Sequence, residues 1–114
     1  MVKVIDCEMK LPCVNNRLIV SRFSRTMILS QEYRNAKAAL TLACAPVQIT
    51  APFSVQIEIE TYKDIDSCIK PVLDAIKEKI GVDDRECTGL MVTKIKRKRG
   101  SLDAIRVYVG SLKQ

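Results

Sequence analysis

From Phe53 to Thr61 the chain alternates strictly, with Phe53, Val55, Ile57 and Ile59 interleaved with Ser54, Gln56, Glu58 and Glu60. Strand side chains point to opposite faces at period two, so this stretch predicts a strand with one face in the core and the other toward water. The period then changes. Ile65, Ile69, Val72, Leu73, Ile76 and Ile80 recur at the spacing of an amphipathic helix. Asp66 or Ser67 is placed to cap that helix and Gly81 to end it. Pro71 cannot donate to the carbonyl four residues earlier, so it fits only if the helix begins just before it. Residues 62 to 66 are therefore a strand-to-helix junction, and it carries Asp64-Ile65-Asp66.

The flanking sequence supplies the rest of one compact unit, without internal repeats or low-complexity tracts. Val2 to Lys10 reads as a first strand, ended by Pro12 and the turn pair Asn15-Asn16. Leu18 to Phe23 and Thr26 to Leu29 read as short strands or an irregular hairpin in an Arg-rich stretch. Ser30 can cap a helix running to about Cys44, with Ala36, Ala39, Leu40 and Ala43 on one side and Ala45-Pro46 as its stop. Cys87 to Lys96 and Leu102 to Val109 read as two strands joined in a hairpin by a turn at Arg99-Gly100-Ser101. A chain of 114 residues is expected to form a single domain, residues 1 to 114.

Composition removes several chemistries. There is no histidine, which excludes His-based acid-base catalysis, Ser-His and Cys-His nucleophiles and His-ligated zinc. The five cysteines, at 7, 13, 44, 68 and 87, form no Cys-x-x-Cys pair and read as reduced, mostly buried thiols. No apolar run reaches the roughly 20 residues of a membrane span, and the N-terminus does not resemble a signal peptide, so a cytoplasmic protein without a membrane partner is expected. The net charge of +6 is consistent with a polyanionic partner.

Against that positive balance, five of the seven aspartates fall between Asp64 and Asp84. In extended chain Asp64 and Asp66 point the same way, with Cα atoms roughly 6.5 to 7 Å apart, and can converge on one cation. Magnesium takes oxygen ligands and keeps several waters, so two or three carboxylates suffice, with Asp84 as a third from the loop after the helix. Lys70, four residues beyond Asp66, can pair with that Asp or point at a phosphoryl oxygen. Spacing alone leaves plainer roles open: Asp66 as a helix cap, Lys70 as a surface partner of Asp66 and Asp74, Asp83 and Asp84 as loop residues, and the basic turn as a solvated face.

The run Asp64-Ile65-Asp66-Ser67-Cys68-Ile69-Lys70-Pro71-Val72-Leu73-Asp74-Ala75-Ile76, followed by Val82-Asp83-Asp84, closely resembles the signature of the RusA-like Holliday junction resolvases. That pattern reads Asp-Ile-Asp-Asn-x-x-Lys-Pro-x-x-Asp-Ala-Leu, then a hydrophobic residue and Asp-Asp. Leu11-Pro12, Asn15-Asn16-Arg17 and Tyr33-Arg34 also resemble that family's N-terminal region. The family's Asn after the second Asp is Ser67 here, which can still donate a hydrogen bond. The resemblance implies a small single-domain α+β fold, a mixed sheet packed with two main helices, working as a homodimer that cuts four-way DNA junctions with magnesium, or manganese in its place. It also implies Asp64, Asp66 and Asp84 as metal ligands, Lys70 as the catalytic lysine and Asp83 as a supporting acid. On that reading Arg17, Arg22, Arg25, Lys63, Lys94, Lys96, Arg97, Lys98 and Arg99 contact phosphate. A nuclease for flaps or other branched DNA, and a non-catalytic DNA-binding protein of the same fold, are the alternatives.

Overall fold

A computed structural model describes residues 1–12, 18–20, 27–29 and 31–111, the side chains of 18–20, 27–29, 66, 67 and 84 excepted. The elements run β1 (Val2–Met9), β2 (Leu18–Val20), β3 (Met27–Leu29), α1 (Gln31–Ala43), β4 (Phe53–Thr61), α2 (Asp66–Ile80), a 3-10 turn (Asp84–Glu86), β5 (Cys87–Lys96) and β6 (Asp103–Ser111). The architecture is a small α+β unit. Four strands form a mixed sheet in the order β1-β6-β4-β5, and β2 and β3 pair separately, Leu18 against Leu29. No helix among the described residues is long and apolar enough to cross a membrane.

The alternation in β4 becomes the two faces of the sheet. Phe53, Val55, Ile57, Ile59 and Thr61 are buried, and the intervening residues are half-buried. The buried face meets Leu40 of α1 and Cys68, Val72, Ala75 and Ile76 of α2, with Ile105, Val107 and Val109 from β6. On the opposite face the strands are laced by charge. Arg106 reaches Glu58 at 3.1 Å and Glu60 at 2.8 Å, and Arg97 lies 3.6 Å from Glu60 and 3.3 Å from Glu8. In α1 the buried residues are Tyr33, Ala36 and Leu40, whereas Ala39 and Ala43 are exposed. The large ring of Tyr33 buries more apolar surface than an alanine offers, and this sets the rotation of the helix.

Three local expectations are corrected. β5 and β6 are not a hairpin, because β4 lies between them, parallel to β5 and antiparallel to β6. Strand β4 is buried on one face and ion-paired on the other, so it takes the interior place and the 97–102 connection crosses its end. At the start of α2, Ile65 occupies the cap position expected for Asp66 or Ser67, in a helical conformation and without a side-chain capping bond. Pro71 therefore sits inside the helix, where its missing N–H costs the carbonyl of residue 67 a partner. Gly81 ends α2 as expected: its φ of 80° is left-handed, and its N–H bonds the Lys77 carbonyl at 2.9 Å.

Candidate active site

Strand β4 delivers the chain to the junction through Thr61, and Lys63, two residues on, is buried in a polar knot. Lys63 is 8% exposed, its Nζ lies 3.0 Å from Asp103 Oδ2, and it also donates to the Leu11 carbonyl. Asp103 accepts from the Leu11 N–H at 2.8 Å and from the Thr61 hydroxyl at 2.6 Å, and Thr61 Oγ1 in turn accepts from the Lys63 N–H at 3.1 Å. A buried ammonium is tolerable only with such partners. Lys63 is thus an interior anchor and is not placed to contact phosphate. Sequence reasoning missed its partner, Asp103, because nothing local to either residue signals a pairing across forty positions.

That anchor presents Asp64 at the surface immediately after a fixed point. Its carbonyl accepts from Cys68 Sγ at 3.6 Å, and the chain is already helical at Ile65. The extended geometry expected to aim Asp64 and Asp66 the same way is therefore absent. Asp64 instead lies in the turn and Asp66 is the first residue of α2.

One turn further along, Lys70 Nζ pairs with Asp74 Oδ1 at 2.8 Å. Tyr33 of α1 donates its hydroxyl to the other oxygen of Asp74, and Lys37 pairs with Glu78 at 2.8 Å, tying the two helices together. Burial alone would raise the Asp74 pKa, but the bonds from Lys70 and Tyr33, with the charges of Lys70 and Lys37, outweigh it and hold it below the usual carboxylate value. Tyr33 is the supporting residue that sequence reasoning left unassigned, although the helical position of Asp74 hinted at a partner on a neighbouring element. The Glu78 bond raises the pKa of Lys37.

Asp83 and Asp84 are elsewhere. Asp83 accepts from the Arg85 backbone N–H at 2.9 Å and from its guanidinium at 2.7 and 3.1 Å, closing the 3-10 turn. Strands β4 and β5 are parallel, with Phe53 beside Cys87 and Thr61 beside Lys96. Asp84 thus precedes β5 at the Phe53 end, whereas Asp64 follows β4 at the Thr61 end. The nine residues of β4 separate those ends by about 26 Å. One chain does not bring Asp64, Asp66 and Asp84 together, and among the described residues no three side chains form a metal-binding cluster.

The basic segment lies at the Asp64 end. Lys94 and Lys96 close β5, and Lys98 and Arg99 follow, all exposed. Arg97 is drawn into the sheet's polar face, where Glu8, Glu60 and the Leu102 carbonyl, 2.6 Å from its Nη1, hold it away from a phosphate-contacting role. Arg17, Arg22 and Arg25, with Cys13 and Ser30, lie outside the described residues. The four described cysteines form no disulfide with one another, Cys44 and Cys68 being buried and Cys7 and Cys87 half-buried. Compared with protein-family models and with curated proteins, the chain matches none.

Proposed function

We propose that this protein is a magnesium-dependent endodeoxyribonuclease of RusA-like type that cuts four-way DNA junctions as a homodimer. The observation that carries this reading is the coincidence, at one end of the sheet, of the Asp64 turn, the start of α2 with Asp66 and Lys70, and the exposed cations Lys94, Lys96, Lys98 and Arg99. A phosphate backbone held by those cations passes beside the carboxylates.

One chain supplies two of the three proposed carboxylates at that end. Two suit magnesium, which commonly takes one or two protein carboxylates together with waters and substrate phosphate. Asp84 can join them only from a second copy, so the reading requires a site shared between protomers. Bound there, the cation supplies activation of water and neutralisation of charge on the scissile phosphate. Asp64 and Asp66 would hold the cation, on a segment whose position the Lys63–Asp103 anchor fixes. Lys70 gives one of its three N–H groups to Asp74, which leaves two for phosphoryl oxygens as charge builds in the transition state. Tyr33 and Asp74 position that lysine.

The test is cleavage of a labelled four-way junction with magnesium. Asp64→Asn, Asp66→Asn and Asp84→Asn are each expected to stop cleavage while retaining junction binding, and Lys70→Ala to stop it with metal binding intact. Mixing Asp64→Asn protein with Asp84→Asn protein should restore activity, because a hybrid dimer contains one complete shared site. If native protein cuts only flaps, the junction assignment fails; if it cuts no branched substrate, the enzyme reading fails.

A further inference from the structure

The two edges of the sheet differ in how they are finished. Edge β1 carries Lys3, Asp6 and Glu8, has a bulge between Lys3 and Ile5, and gives the Val4 carbonyl to the Ala45 N–H at 2.7 Å. Those features discourage pairing with another strand. Edge β5 has Lys94 and Lys96 toward its end and an irregularity at its start, but its middle carries neither charge nor bulge. Beyond an irregularity near Thr88, it runs in regular register from Gly89 to Lys96, and among the described residues only β4 pairs with it. Cys87 to Thr93 is uncharged, and Leu90, Met91 and Ile95 are 50%, 61% and 42% exposed.

We propose that β5 pairs antiparallel with β5 of a second copy, across a two-fold axis near Met91, joining the two sheets edge to edge. Charge along the strand selects this partner and direction. Acidic Asp83, Asp84 and Glu86 precede β5, and Lys94, Lys96 and Lys98 close and follow it. Antiparallel self-pairing lays each acidic start against the other copy's basic end, twice by symmetry. An axis perpendicular to the sheet keeps both copies' helices on one face, so each residue meets one of its own face. With Met91 on the axis, Leu90 faces Val92 and Gly89 faces Thr93, and beyond the irregularity at Thr88 the turn that carries Glu86 lies beside the Lys96 end of the second copy. Arg85 and Arg97 also come to that same end, but Asp83 already neutralises the first and Glu8 and Glu60 the second.

This pairing deepens the nuclease reading, on which it rests only for the role of Asp84. It carries Asp84 of the second copy from the far end of the sheet to within two strand spacings, about 10 Å, of the β4 end that leads into Asp64.

The experiment is sedimentation equilibrium on the full chain, with circular dichroism to show that each variant is folded. Native protein should be dimeric. Glu86→Lys alone, and Lys94→Glu with Lys96→Glu, should each weaken the dimer at least about tenfold, and the combined reversal should restore it. Met91→Arg, whose exposed side chain would meet its own copy, should give folded monomer. A monomeric native chain, or a dimer indifferent to all of these changes, overturns the proposal. A native dimer that responds to these changes as expected but cuts no branched DNA keeps this interface and removes the nuclease reading. Junction cleavage by a dimer insensitive to the β5 changes does the reverse.

Discussion

Lys63 and Asp103 are separated by forty positions and share one buried site in which every polar atom has a partner. Removing the carboxylate leaves an ammonium in the interior, with the Leu11 N–H and the Thr61 hydroxyl losing their acceptor. Asp103→Ala should therefore cost about 3 to 5 kcal/mol, read as a fall in the urea midpoint; a loss under about 1 kcal/mol would mean that the pair behaves as an exposed one. Asp74 is a different case, partly exposed and stabilised as the anion. A folded pKa held below the ordinary value of 3.8 gives stability that is present above that value and disappears as pH falls through the lowered one. Asp74→Asn should accordingly be less stable than native protein at neutral pH, with the gap closing as pH falls below the ordinary carboxylate value in unfolding measurements. A gap that stays constant with pH would detach Asp74 from this role.

At the scale of elements, α2 is set by its two ends and tolerates an irregularity between them. Gly81 takes φ 80° with open space where a Cβ would stand, so only backbone strain opposes an added methyl. Gly81→Ala should cost about 1 to 2 kcal/mol, seen as a lower melting temperature; a neutral result would show that the helix end can relax. Pro71 was expected just inside the first turn and lies further in, because the helix already begins at Asp66. The strands β5 and β6 show how an element can be found in sequence while its partner is not. Each has a strand composition, and a turn stands between them, yet β4 intervenes. Local turn chemistry did not decide that pairing; burial of the alternating β4 between two neighbours did.

The whole molecule separates the acidic motif and gathers cations beside one part of it. Lys94, Lys96, Lys98 and Arg99 stand at the Asp64 end through the parallel register of β4 and β5. Replacing these four with glutamine should weaken junction binding and reduce the slope of log affinity against log salt by up to about 0.9 per lost phosphate contact. An unchanged slope would leave them as solvated surface. Asp84, by contrast, is carried to the opposite end by the same register.

Periodicity in the sequence determined the elements: period two in β4, helical spacing in α2, and a left-handed glycine to end it, because these signals depend on neighbouring residues alone. It also showed the Asp-x-Asp at the junction and offered Asp74, one helical turn away, as one partner for Lys70. Only the tertiary structure decided that β4 lies between β5 and β6, that Lys63 points inward to Asp103, that Tyr33 supports Asp74, and that Asp84 is a sheet's length from Asp64. Each of those depends on which distant segments share a face or an edge, and burial and charge pairing settle that only when the whole chain is packed.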